Sequence, residues 1–134
     1  MEERLAIHHL AVVVRDLGRA EAFYVDALGL PLLKRWEDEA GAPRSIWVEL
    51  GGGAFLAIER AALEGPRRED AAPGFHCMAL GIQPELREVW RERLKVAGFP
   101  VERESPFTLY VRDPEGNLVG LSHHPHRAGA PRDG

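Results

Sequence analysis

Two stretches decide how this chain is read: HHLAVVVRD at residues 8–16 and HCMALGI at residues 76–82. Each sets a histidine beside a second side chain able to hold a metal, His9 in one and Cys77 in the other, ahead of an apolar run. In the first, Leu10, Val12 and Val14 alternate with His9, Ala11 and Val13, the two-residue period of a strand. In the second, Met78, Leu80 and Ile82 alternate with Cys77, Ala79 and Gly81. The spacing predicts strands from about Leu5 to Val14 and from Phe75 to Ile82.

The segments after the two strands are also alike. After the first, Asp16 is a candidate N-cap for a helix whose apolar stripe is Ala20, Phe23, Ala27 and Leu28, with Gly29 as its stop. After the second, Pro84 can open a helix with the stripe Leu86, Val89, Trp90, Leu94 and Ala97, stopped by Gly98. DALGLPLLKR at 26–35 then matches KVAGFPVERE at 95–104: helix end, glycine, apolar residue, proline, strand. The first half continues with SIWVEL and AFLAIE around Gly51-Gly52-Gly53, whose glycines suit a turn of positive φ. The second continues with FTLYVRD and NLVGLS around Asp113-Pro114-Glu115-Gly116. The chain is an internal repeat of a β-α-β-β-β unit. The expected fold class is α+β, with two tandem βαβββ modules forming a curved mixed sheet around a central cavity and the helices outside.

A length of 134 residues fits a single domain with a real core. Residues 1–124 are assigned to it: module one at 5–59, a linker rich in Pro, Gly and charge at 60–74, and module two at 75–124. The tail 125–134 has little to bury and is expected to be disordered. The net charge of −4 and arginines interleaved with acids argue against nucleic acid, which demands concentrated cations. No apolar run approaches the length of about 18 residues that spans a bilayer. One cysteine and no signal-like N-terminus suit a reducing cytoplasm.

Strand parity separates two faces. Large aliphatics should pack on the helices: Leu10, Val12 and Val14; Ile46, Val48 and Leu50; Leu56 and Ile58; Met78, Leu80 and Ile82; Phe107, Leu109 and Val111; Val119 and Leu121. The other face then carries His9, Ala11, Ser45, Trp47, Phe55, Glu59, Cys77, Ala79, Thr108, Tyr110, Gly120 and Ser122. Small, polar and aromatic residues mixed in this way describe a pocket lining. The parity also makes His9 the repeat mate of Cys77, and His8 that of His76.

IHHLAVVVRDLGRAEAFYVDALGLPLL, FLAIE and LYVRDPEGNLVGLS, in this order, resemble the vicinal-oxygen-chelate superfamily of glyoxalases, bleomycin-resistance proteins, fosfomycin-resistance enzymes and extradiol dioxygenases. The resemblance spans about Leu5 to His124. It implies a divalent metal held by one ligand from each of four cavity strands. His9 matches the first position, and Glu59 is matched to the end of the first module. Cys77 stands where the second module normally offers histidine, and Gly120 stands where the closing strand offers glutamate. His124, of the same strand parity, is the one conceivable replacement.

That implied ligand set is eroded, and the expected function rests on the erosion. The chain is read as a small-molecule-binding protein of glyoxalase and bleomycin-resistance type with a degenerate metal site. Trp47, Phe55, Thr108, Tyr110 and Ser122 would bind the ligand. The alternative is a metal-dependent lyase or isomerase with an altered ligand set, its catalytic candidates being His9, Glu59 and Cys77. The loss of a two-histidine, one-carboxylate triad disfavours a dioxygenase. Either no cofactor is needed or a divalent metal is used, zinc if the Cys77 thiolate ligates. The bland readings are a hydrogen-bonded His9, a solvated Glu59 and a Cys77 that packs as a small apolar residue. Trp36 is left undetermined. A homodimer is expected, because two short modules leave open sheet edges.

Overall fold

The computed structural model describes residues 2–62, 65–66 and 68–129. It divides into two compact units, Met1–Gly65 and Pro66–Gly134, a division that falls inside the 60–74 stretch. Each unit is one βαβββ repeat.

In the first unit the strands are β1 (His9–Val14), β2 (Leu32–Glu37), β3 (Pro43–Gly51) and β4 (Ala54–Arg60), in sheet order β1-β4-β3-β2. β1 runs parallel to β4, and the other two pairings are antiparallel. A parallel neighbour requires a crossover, and α1 (Leu17–Glu21) begins it, with Asp16 accepting a hydrogen bond from the Arg19 amide at 3.0 Å. The helix then widens into a π-helical stretch, Ala22–Ala27, where the Leu28 amide reaches the Phe23 carbonyl at 2.9 Å. Adjacent residues on an α-helix point about 100° apart, so two neighbouring rings cannot easily face one core. The wider turn lets both Phe23 and Tyr24 be fully buried, edge-on at 4.8 Å.

The same unit also buries Val14, Ile46, Val48, Leu56 and Ile58. Burial of each such side chain stabilises the fold by about 1.5–3 kcal/mol. The turn between β3 and β4 holds Gly51, Gly52 and Gly53 at φ of 96°, 61° and 86°, so all three glycines are required there. β1 starts at His9 rather than at Leu5. Its partner strand begins at Ala54 and turns away through the glycines, so Leu5 and Ile7 have no strand to pair with and lie exposed.

The second unit has β5 (Cys77–Gly81), β6 (Arg103–Glu104), β7 (Thr108–Arg112) and β8 (Leu118–Ser122), in sheet order β5-β8-β7-β6. β5 is parallel to β8, which reproduces the first unit. A 3-10 turn, Pro84–Leu86, leads into α2 (Arg87–Val96). Leu94 on α2 is buried, as are Leu109, Val111, Val119 and Leu121 on β7 and β8. The Asp113 carboxylate organises the β7–β8 turn by accepting from the amides of Glu115 and Asn117 at 2.9 and 2.8 Å.

Two expectations fail here. The predicted stripe buries only Leu94 fully; Trp90 is half-buried, while Leu86, Val89 and Ala97 face solvent. Ion pairs hold the helix instead: Arg87 and Arg91 both engage Glu104, at 3.4 and 2.5 Å. Phe107 leaves the core and sits edge-on to His124 at 5.0 Å. A turn follows β8, closed by the His126 amide on the His123 carbonyl at 2.9 Å; residues 130–134 of the expected tail lie outside the described residues.

Buried Arg87 also donates to Nε2 of buried His123 at 2.8 Å and to the Ser105 carbonyl at 2.8 Å. A guanidinium has no acceptor, so His123 must be the Nδ1–H tautomer, donating to the carbonyl of His126.

Surface carboxylates make the stability depend on acid. Arg91 hydrogen bonding holds Glu104 below its ordinary range, and Arg112 does the same for Asp70. Backbone amides, the Ala42 N–H first, and then Arg60 lower Asp38. Each group binds its proton more weakly folded than unfolded, so its contribution is complete above about pH 4 and lost as pH falls through the folded value. The urea midpoint should therefore drop between pH 7 and pH 3. Glu104→Gln should lower the midpoint at pH 7 and reduce that drop.

Candidate functional site

The aliphatic layer of each sheet faces its helix, so the other face carries the chemistry, and cross-strand register shows which residues stand level. In the first unit His9 is level with Phe55, Ala11 with Ala57, and Val13 with Glu59. Trp47 is opposite Ala57, Ser45 opposite Glu59, and Trp36 opposite Ser45.

A band of rings crosses this face. His9 stacks on Phe55 at 4.9 Å and 11°, and Phe55 stacks on Trp47 at 4.4 Å and 26°. Trp47 meets Trp36 at 5.2 Å, and Lys34 Nζ lies 3.8 Å from the Trp36 ring centroid. His8 is edge-on to Phe55 at 5.6 Å, its Nδ1 lying 2.9 Å from that of His9. Trp36, undetermined in the sequence, thus belongs to the band. The signal was its pairing with Ser45, hidden by a register shift between Leu32 and Lys34.

Glu59 shares the face with His9 but stands four residues farther along, roughly 13 Å at strand rise. Ligands of one ion converge within about 2 Å of it, and the His9 ring is engaged on Phe55 instead.

In the second unit Cys77 is level with Leu118, Ala79 with Gly120, and Tyr110 with Gly120. Thr108 is opposite Ser122 and donates to its hydroxyl at 2.9 Å. Arg103 lies 4.8 Å from the Tyr110 ring centroid and 3.3 Å from His76 Nε2. Met78 and Leu80 are level with the buried Val119 and Leu121, the helix-facing layer. Cys77 is exposed. His124 is exposed too, held against Phe107 beyond the end of β8.

Register makes the two units directly comparable. Because His9 and Cys77 are mates, Ala11 matches Ala79, Ala57 matches Gly120, Trp47 matches Tyr110, and Glu59 matches Ser122. The first-unit mate of Gly120 is therefore Ala57, not Glu59. Both strands that close a unit carry a small residue beneath an aromatic ring at this position.

At Gly120 that space is taken. A Cβ there would come 3.1 Å from Thr108 Cγ2 and 3.5 Å from the Tyr110 ring. Among the described residues no group of three His, Cys, Asp or Glu side chains is placed to hold an ion. The donor set does not fit the superfamily's divalent metal.

Residues 6–121 match the Glyoxalase/Bleomycin resistance protein/Dioxygenase superfamily. The chain is 27% identical over 120 residues, 84% of this chain and 91% of the other, to a probable lactoylglutathione lyase of Synechocystis. Its fold is shared with the fosfomycin resistance protein FosX of Listeria monocytogenes, in a crystal structure with Mn(II) and a dihydroxypropylphosphonic acid. That match has a TM-score of 0.69 at 20% identity and covers 88% of this chain and 91% of that one. A glyoxalase/dioxygenase of Nostoc punctiforme gives a TM-score of 0.70 at 19% identity, covering 94% and 99%. The matched span and the paired βαβββ units define a two-repeat glyoxalase-type protein. This chain belongs to the Glyoxalase/Bleomycin resistance protein/Dioxygenase superfamily.

The crowding at Gly120 is testable. Gly120→Ala should cost about 1–3 kcal/mol by thermal or urea unfolding. Thr108→Ser removes the opposing methyl and keeps the hydroxyl, so the double variant should recover most of that loss. Additive losses would mean that Cγ2 is not what the new methyl meets.

Proposed function

We propose that this chain binds a small, flat organic molecule on the aromatic band of its first unit, and that it does so without the superfamily's metal centre. The observation that carries the reading is the pairing of Ala57 with Gly120 at the two closing-strand positions. Neither offers a carboxylate, while the faces around them are lined with rings and hydroxyls. Trp47 and Phe55 supply stacking area, with His9 and Glu59 as polar anchors. Thr108, Tyr110 and Ser122 are the corresponding ligand-binding candidates on the face of the second unit. A divalent ion has no role in this reading.

A second reading keeps chemistry. His9 and Cys77 occupy mate positions, and both are exposed. Imidazole nitrogen and thiolate sulfur are each zinc donors, and this reading is a metal-dependent lyase or isomerase with an altered ligand set. The named relatives, a probable lactoylglutathione lyase and FosX with its Mn(II), keep this alternative in view.

The proposal includes a homodimer. β1 and β5 stand at the ends of their sheets, and Val13 on β1 is 63% exposed. On α2, Val89 and Val96 are also open to solvent. Apolar side chains and unpaired strand edges of this kind favour a second copy.

Elemental analysis of protein purified without a histidine tag separates the two readings. Less than stoichiometric metal, together with tryptophan fluorescence quenched by flat aromatic compounds, is expected. Phe55→Ala should weaken that binding by up to about tenfold, given about 0.5–1.5 kcal/mol for an aromatic contact. One ion per chain that disappears in His9→Ala would overturn the binding reading. Sedimentation should give twice the chain mass; a monomer at micromolar concentration would refute the dimer.

A further inference from the structure

One rung of the first sheet carries three polar side chains abreast: Trp36 on β2, Ser45 on β3 and Glu59 on β4. Ser45 is 1% exposed. Its hydroxyl and the Trp36 indole Nε1 are both buried and have no hydrogen-bond partner among the described residues. Buried donors left unpaired are costly, and folded proteins rarely tolerate two side by side. The second unit supplies a comparison. There the mates of Ser45 and Glu59 are Thr108 and Ser122, and those hydroxyls bond each other at 2.9 Å. The same rung is closed in one unit and left open in the other.

We infer that the open rung is a hydrogen-bonding anchor for an amide or lactam group on the molecule that stacks on the band. Trp36 Nε1 can only donate, and the Ser45 hydroxyl is free to donate. Two unpaired donors on one rung call for an acceptor oxygen. Glu59, opposite Ser45, can only accept while ionised, and it calls for a donor beside that oxygen. A carbonyl next to an N–H meets both demands. A carboxylate or phosphonate would meet the donors but oppose Glu59. A plain hydrocarbon would stack but leave the donors unpaired. The class is therefore a neutral, flat cyclic amide. Trp47, two residues from Ser45 on the same face, sets the stacking plane beside it.

The inference rests on the aromatic band being the ligand-binding face, so the test reads the two tryptophans separately. Indole N–H resonances of Trp36 and Trp47 are followed by NMR during titration with isoquinolone, N-methylisoquinolone, naphthalene and naphthoate. Isoquinolone should bind at least tenfold tighter than the other three and move the Trp36 N–H downfield. Ser45→Ala should erase that preference while leaving weak naphthalene binding in place, and Trp36→Phe should erase it too. In the free protein, Ser45→Ala should raise the melting temperature by a few degrees, because it deletes an unpaired buried hydroxyl. Shifts at Trp47 with Trp36 unmoved would overturn the anchor and spare the binding face. Shifts at neither would overturn both. Tighter binding of naphthoate, or a lower melting temperature in Ser45→Ala, would also refute the anchor.

Discussion

Phe23 and Tyr24, both closed off from solvent, need an apolar surface beneath them, and Ile46, Val48, Leu56 and Ile58 provide it. Because a strand turns alternate side chains to opposite sides, that burial commits Ser45, Trp47, Ala57 and Glu59 together to the other face. Every functional feature of the first unit depends on this commitment. The π-helical stretch belongs to the same constraint, since it lets neighbouring rings share one core. Leu94 over Leu109, Val111, Val119 and Leu121 imposes the equivalent commitment in the second unit.

Within that shared frame the two units have diverged in different directions. Trp47 and Tyr110 both cover a small residue, so each ring lies where a longer side chain at position 57 or 120 would stand. The first unit extends its ring into a band reaching from His9 to Trp36, ended by the Lys34 ammonium. The second closes its polar rung internally and places Arg103 over Tyr110.

Polar groups are satisfied with care in the rest of the molecule. Buried Arg87 distributes its donors among His123, Ser105 and Glu104, and Asp113 satisfies the amides of its own turn. Arg112 ties Asp70 and Glu102 to β7 at 2.6 Å each. Against that background the unpaired indole and hydroxyl of Trp36 and Ser45 stand out. The exposed aliphatics of α2 stand out in the same way, because the helix is held by Arg87 and Arg91 on one side and leaves Val89 and Val96 uncovered on the other. None of the helices among the described residues is long and apolar enough to cross a membrane.

Much of this was legible in the residues alone. The doubled pattern, the parity of the strands, the glycine turns and the superfamily all rest on local periodicity and short motifs, which survive in one dimension. The mate relation between His9 and Cys77 was readable for the same reason. Depth and level were not. Leu5, Leu86 and Val89 are apolar with the right spacing, yet whether a partner lies over them depends on where β4 turns and how α2 is tethered. Glu59 has the parity of a ligand but not the level, because level is a property of two strands and no single strand encodes it. Trp36 joined the band only through a register shift on β2. Periodicity assigns a face; only hydrogen-bonded neighbours assign the place along it.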